Sequence, residues 1–224
     1  MMTRIALAAF VLGPLLAHLG VVKPMVGFVT FVLGGIGGLV AGVTALVSLL
    51  RGRSLGIQQW AAAAVALLMV GILGRSGGAP RINDFTTDPS DPPVFRHATS
   101  LPANGGRDMA YPAEFTAQQQ ACCGDLRPVA VAAPADGAFA RARAVAAAMP
   151  SWTITHEDAA NGTLEATAAS WLFRFDDDIA IRVRPGDGGN SRVDIRSKSR
   201  DGKGDLGVNA MRIRAFVSAL EAAH

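Results

Sequence analysis

The residues best equipped for chemistry crowd into one stretch, SRVDIRSKSRDGKGDLGVNAMRIRAF, from Ser191 to Phe216. It carries Arg192, Asp194, Arg196, Lys198, Ser199, Arg200, Asp205, Asn209 and Arg212. Two chemistries suit these residue types. Arginines beside the start of a helix receive an anionic group, because guanidinium groups and free backbone N–H groups both favour negative charge. Ser197, Ser199 or Asp205 would instead serve hydrolysis. That reading lacks its other parts: no histidine lies near in sequence, and no nucleophile elbow or metal-ligand set accompanies the serines. The segment Arg192–Arg214 holds seven basic residues against Asp194, Asp201 and Asp205, whereas the upstream segment Asn83–Asp91 is acidic through Asp84, Asp88 and Asp91. We therefore expect the upstream segment to fold back, with Asp84 or Asp88 pairing Arg196, Arg200 or Arg212. The candidate set, for an anion, a partner or the docked tether, is Asp84, Asp88, Arg196, Ser199, Arg200, Asp205, Asn209 and Arg212. No catalytic residue, cofactor or metal site is assigned.

The elements that must position this set follow from hydrophobic period. Val193 and Ile195 alternate with Arg192, Asp194, Arg196 and Lys198, so one strand presents two unlike faces. A helix over about Asp205–Ala222 buries Leu206, Ile213, Phe216, Val217 and Leu220. Upstream, Asp136 is the expected N-cap of a helix with Phe139, Ala142, Val145, Ala146 and Met149 on one face, ended by Pro150. Three further strands alternate at Trp152/Ile154/His156, at Leu164/Ala166/Ala168 and at Ile179/Ile181/Val183. The parity shift to Trp171, Phe173 and Phe175 predicts a bulge or kink near Ala169-Ser170. The expected fold is α+β: a helix, a four-stranded antiparallel meander and a helix. Within it, His156 and the aromatic row read as core, and Asp176-Asp177-Asp178 as a solvated turn rather than a metal site. His97 reads as a loop histidine.

The first 75 residues contain no Asp or Glu. Apolar runs at about 5–22, 25–50 and 57–73 predict an all-α bundle of three transmembrane helices. A cleaved signal peptide is the alternative for the first run. The Arg51-Gly-Arg53 loop places the N-terminus in the cytoplasm and the C-terminal part outside, in a bacterium the periplasm. His18, inside the first run, reads as a buried hydrogen-bonder near the helix end. Gly34, Gly38 and Gly42 stand four apart, which suits close packing inside the bundle or a homo-oligomer contact. Residues 76–104 read as a Pro- and Asp-rich tether, and 105–224 as the extracytoplasmic domain. Of the 21 basic residues, five lie in the first 75, leaving 16 against 18 acidic ones, so the net charge of +3 does not indicate nucleic acid. The expected partners are the lipid bilayer and an envelope protein or anionic ligand. Cys122 and Cys123, the two cysteines, could close a vicinal disulfide in an oxidising compartment, pair with a partner protein or remain as thiols.

Two motifs resemble a known family. Ile82-Asn83-Asp84-x-Thr86-Thr87-Asp88-x-x-Asp91-Pro92-Pro93 is similar to the opening signature of the domain of unknown function 1499 family. Ser191-Arg-Val-Asp-Ile-Arg-Ser197-x-Ser199-Arg200, followed by Gly204-Asp205-x-Gly207-x-Asn209-x-x-Arg212-Ile213, is similar to its closing one. The intervening Phe175–Arg184 fits as well, so the resemblance covers about residues 82–220. Members often carry hydrophobic N-terminal helices. At Cys122-Cys123 the family more usually has a Tyr-Pro-Asp-like sequence, so the cysteine pair is a departure. The resemblance implies no activity, cofactor or catalytic residue.

Overall fold

A computed structural model describes residues 1–76 and 80–223. The start of the expected tether, residues 77–79, and the C-terminal His224 lie outside the described residues, as do the side chains of Arg75 and Ser76. The chain forms two compact units. One holds the three N-terminal helices together with Trp171–Phe175; the other holds the rest of the described chain.

In the first unit, α1 (Met2–His18), α2 (Pro24–Leu50) and α3 (Ile57–Ser76) pack together, with α2 in the middle. Glycine makes the close approach on both sides of α2. A Cβ on Gly27 would stand 2.6 Å from the carbonyl oxygen of Gly13 in α1, and one on Gly35 would stand 2.7 Å from Met69 Sδ in α3. Gly34 faces the backbone of Phe10, and Gly42 faces Ala66. The four-residue glycine spacing is thus taken up by neighbours in the same chain.

Among the described residues two helices are long and apolar enough to cross a membrane: α2, at mean hydropathy 2.1, and Ile57–Gly74 of α3, at 1.7. The third expected span falls short. Helix α1 stops at His18 after 17 residues, where Leu19 and the left-handed Gly20 turn the chain toward Pro24. Seventeen residues cover about 25 Å, against a hydrocarbon core of about 30 Å.

The second unit is α+β around an antiparallel sheet of six strands, not four. The expected meander is present as β3 (Trp152–Asp158), β4 (Thr163–Ala169), β5 (Asp176–Pro185) and β6 (Ser191–Ser199). Two three-residue strands, β1 (Asp84–Thr86) and β2 (Val129–Val131), pair side by side along the outer edge of β6. Both are too short to show a period. The segment read as a tether therefore contributes a strand. Helix α4 (Phe115–Cys123), also missed, precedes β2 and ends in the Cys122–Cys123 disulfide.

Helices α5 (Ala135–Ala148) and α6 (Val208–Ala222) cover one sheet face. Phe139, Ala142 and Ala146 of α5 join Ile213, Phe216 and Leu220 of α6 over Leu164, Ile179, Ile181, Val193 and Ile195. The opposite face is covered by the connector itself, where Phe95, Ala98 and Met109 enclose Ala180 in a second, smaller core. Helix α5 starts at Ala135 behind Pro134 with no side-chain cap, and Asp136 sits in its first turn. Helix α6 starts at Val208, not Asp205. Leu206, expected in its buried stripe, adopts φ 56° in the preceding turn and is 57% exposed.

Four further expectations are corrected. The register shift lies in the β3–β4 pair, between Ile154 and His156, whereas at Ala169-Ser170 β4 ends and the chain leaves the sheet. Trp171, Phe173 and Phe175 leave the sheet domain altogether: the rings of Phe173 and Phe175 stand 5.5 and 6.0 Å from that of Phe28 in α2. His156 is exposed and stacks on His97 at 5.2 Å. His18, at the end of α1, is exposed too.

Candidate functional site

Strand β6 sorts the candidate residues by parity. Val193, Ile195, Ser197 and Ser199 point toward the helices, and Arg192, Asp194, Arg196 and Lys198 toward the connector. The sequence cluster is therefore two clusters, divided by the sheet.

On the connector face, Asp84 is opposite Lys198 in the β1–β6 register and carries no exposed surface. Its carboxylate accepts from Arg196 Nε at 2.9 Å and Nη2 at 2.7 Å, and from Lys198 Nζ at 2.9 Å. Arg196, itself 1% exposed, also donates to the carbonyl oxygens of Met109 at 2.9 Å and Pro93 at 3.2 Å. Its guanidinium lies 4.7 Å from the Phe95 ring centre. A buried bidentate pair with backbone carbonyls for further N–H groups and an aromatic face beside it is what keeps a guanidinium stable away from water. The Tyr111 ring lies 5.6 Å from the same guanidinium. Burial, and then the negative charge of Asp84, push the Tyr111 hydroxyl up to about 12.

Further along this face, Arg182, Arg184 and Arg192 converge on Asp194 at 3.1, 3.0 and 3.0 Å. Asp88 pairs with Arg192, and Asp91 with Arg184 at 2.6 Å. Burial raises the Asp88 carboxyl, but hydrogen bonds from Ser90 and Asp91 and the charge of Arg192 outweigh it and leave the group lowered. The hydrogen bond from Arg184, with the charge of Arg182, lowers Asp91. At the end of β6, Arg200 grips Asp178 at 2.6 Å and Thr167 at 2.9 Å.

On the helix face, Asp205 prepares the start of α6. Its Oδ1 accepts from the Gly207 N–H at 2.8 Å and its Oδ2 from the Asn209 N–H at 2.7 Å. Burial raises the Asp205 carboxyl above its ordinary value, and those two backbone bonds oppose the rise. Asn209 is fully buried and links the two serines: Ser197 Oγ donates to its Oδ1 at 2.6 Å, and its Nδ2 donates to Ser199 Oγ at 2.8 Å. Arg212 reaches Asn209 Oδ1 at 2.6 Å, Ser197 Oγ at 3.0 Å and Asp177 Oδ2 at 2.6 Å. Among the described residues no histidine hydrogen-bonds either serine, and no three His, Cys, Asp or Glu groups are placed to hold a metal ion.

Family comparison falls on this same region. The family described as Protein of unknown function (DUF1499) matches residues 84–220. The chain belongs to that family. No curated protein matches it. The DUF1499 match begins at Asp84, the carboxylate that closes the Arg196 pair, and ends at Leu220, the last buried residue of α6. It thus spans the whole six-stranded sheet and both of its coverings.

Sequence reasoning missed several members of these clusters. Asp177 and Asp178, read as a solvated turn, are buried at the start of β5 as counterions of Arg212 and Arg200. Asn104 donates to Asp178 Oδ2 at 2.8 Å. The Gln119 side chain behaves like an added peptide group beside β1, accepting from the Thr86 N–H at 3.0 Å and donating to the Thr86 carbonyl at 2.7 Å. Glu165 receives three backbone N–H groups, from Arg96, His97 and Ala98, at 2.7, 2.8 and 2.7 Å. The available signal was a carboxylate inside the apolar alternation of Leu164, Ala166 and Ala168, and a glutamine in the Gln118–Gln120 run, but their partners lie 67–69 and 33 residues away.

Proposed function

We propose that the protein is a membrane-anchored scaffold or binding module of the bacterial cell envelope, with the DUF1499 domain on the periplasmic side of the inner membrane. The observation that carries the scaffold reading is the internal pairing of the candidate charges. Asp84, Arg196, Arg200 and Arg212 each meet an opposite charge from the same domain within 3 Å. A polar cluster saturated in this way docks the connector and orders α6, and contacts to other molecules then fall to the remaining surface. The anion-receptor reading needs those arginines free.

The alternative, a hydrolase around Ser197–Asp205, draws on two buried serines beside Asn209. Each serine hydroxyl is engaged by Asn209, and neither has a basic group able to take its proton. The orientation rests on the basic Arg51–Arg53 turn. A cysteine at Ser54 shielded from a membrane-impermeant maleimide in intact cells, with one at Asp187 labelled, is the expected pattern; the reverse rejects the periplasmic placement. For the function, crosslinking in native membranes followed by affinity purification should return a stoichiometric envelope partner. Turnover of an ester or amide substrate that vanishes in a folded Ser197→Ala variant would replace the scaffold reading with the hydrolase.

A further inference from the structure

The loop between β4 and β5, residues 171–175, lies outside the sheet whose paired strands it joins. It groups with the N-terminal helices. Phe173 stands edge-on to Phe28 and lies against Phe31, each ring centre 5.5 Å away. His18 Nδ1 lies 2.9 Å from the Trp171 carbonyl oxygen. A carbonyl only accepts, so Nδ1 carries the proton. His18 is the last residue of α1, and Phe28 lies in the second turn of α2. The loop therefore sits at the bundle end where α1 hands over to α2.

What the loop shows to its surroundings is apolar at the tip and cationic beside it. Trp171 is 76% exposed and Leu172 37%. Leu19 and Val21, in the α1–α2 turn, are exposed at the same bundle end. Arg174 and Lys23 are exposed as well. On the same two helices Val11, Leu12, Leu15, Met25, Val26 and Val29 are exposed as well.

We propose that residues 171–175 form a membrane-interface anchor. Trp171 and Leu172 enter the headgroup boundary of the leaflet in which this end of α1 and α2 lies, and Arg174 and Lys23 meet lipid phosphates. The proposal rests on the membrane reading of α2 and α3. An indole ring beside cations is the side-chain pairing that favours this depth, because the ring is amphipathic and the long cations keep their heads in the polar layer. The hydrogen bond from His18 matters here, since a carbonyl near the acyl region needs a partner other than water.

The test uses the full chain in vesicles of phosphatidylcholine and phosphatidylglycerol whose acyl chains are brominated close to the headgroup. In the Trp60→Phe, Trp152→Phe variant Trp171 is the sole tryptophan; in the Trp171→Phe, Trp152→Phe variant it is Trp60 of α3. The expected result is loss of emission to brominated lipid in both, with Trp171 shielded from aqueous iodide. Trp171 emission that survives brominated lipid and falls with iodide, while Trp60 is quenched, overturns the anchor and leaves the membrane reading intact. Shielding from iodide without lipid quenching assigns the loop to a protein contact and also overturns it. Trp60 unquenched by lipid overturns the membrane reading and the anchor together. Should Trp152→Phe unfold the domain, a nitroxide on Leu172→Cys gives the second measurement, since Cys122 and Cys123 are bonded to each other. Greater access to oxygen than to an aqueous nickel chelate supports the anchor, and the opposite ratio refutes it.

Discussion

Replacing Asp84 with alanine leaves two cations in the sheet without their counterion. Arg196 is 1% exposed and Lys198 6%, and both point at the same carboxylate. Removing one partner of a buried ion pair costs about 3–5 kcal/mol, because the remaining charge stays desolvated. A domain of this size has a total stability on the order of 10 kcal/mol. Its melting temperature should therefore fall by on the order of 10 °C, at about 2–4 °C per kcal/mol. The assay is hydrogen exchange of the full chain in detergent, because it resolves the strand pair directly. The Ser199 N–H donates to the Asn83 carbonyl at 2.8 Å and the Thr87 N–H to the Ile195 carbonyl at 2.9 Å, and both should lose protection in Asp84→Ala. The triple variant Asp84→Leu, Arg196→Met, Lys198→Met removes all three charges together. It should recover most of the loss, since a well-packed apolar replacement of a buried ion cluster is near neutral. A shift in Asp84→Ala of less than about 1 kcal/mol, the range of exposed pairs, would refute the claim that this carboxylate locks β1. So would a triple variant less stable than the single one.

Other perturbations follow from the same geometry. Asp88 and Asp91 are lowered below the ordinary carboxyl value of 3.8, so the stability they supply is complete above that value and is lost as pH falls through their folded values. Acid titration of Asp88→Asn should show a shallower loss on the acid side. Asp205 has the opposite sign: its folded value is raised, so its contribution is present below 3.8 and is lost as pH rises through the folded value. Asp205→Asn should therefore flatten the decline above 3.8 in a pH series of melts. Glu165→Ala strips three backbone donors of their acceptor, and exchange protection over residues 95–104 should drop while that of Ile179 and Ile181 holds. Gly27→Leu drives a side chain into the backbone of α1 and should separate α1 from α2 in a disulfide-crosslinking assay; Gly71→Leu, with nothing within 4 Å, should not.

The meander and its two helices were legible because they are long enough to express a period. Strand β5 repeats Ile179, Ile181 and Val183, and α5 repeats Phe139, Ala142, Val145 and Ala146, so burial alone sets both. Strands β1 and β2 offer three residues each, and their place along β6 is set by tertiary partners instead. The opposite signs of the Asp84 segment and the β6 segment were visible, which is why Asp84 and Arg196 were named together. The separation of that charge into two faces was legible only in β6 itself, where odd and even residues differ. Asp177 and Asp178 were misread because three adjacent carboxylates look like a turn, while the arginines that bury them stand 35 and 22 residues later. Trp171, Phe173 and Phe175 kept a perfect strand period, yet Phe173 and Phe175 meet the rings of Phe28 and Phe31 and Trp171 that of His18, all more than a hundred residues upstream. Alternation reports that residues are sorted onto two sides and says nothing of what either side meets.

The connector decides what the basic face of the sheet is able to bind. Asp84, Asp88 and Asp91 belong to the same chain as Arg182, Arg184, Arg192 and Arg196, so they compete with any soluble anion as intramolecular ligands. A tethered group acts at an effective concentration in the millimolar range or above. A free anion must therefore displace carboxylates already placed at hydrogen-bond distance, and at Arg196 it must also reach a guanidinium under Phe95. Such exchange requires Asp84–Thr86 to leave the β6 edge, which breaks the β1 ladder and uncovers Phe85, a fully buried side chain of the main core. Those costs add in the same step. The basic character of Ser191–Phe216 is thus mainly a property of the isolated strand and helix: in the folded domain Arg192, Arg196, Lys198, Arg200, Arg212 and Arg214 each meet a carboxylate, while Lys203 is exposed.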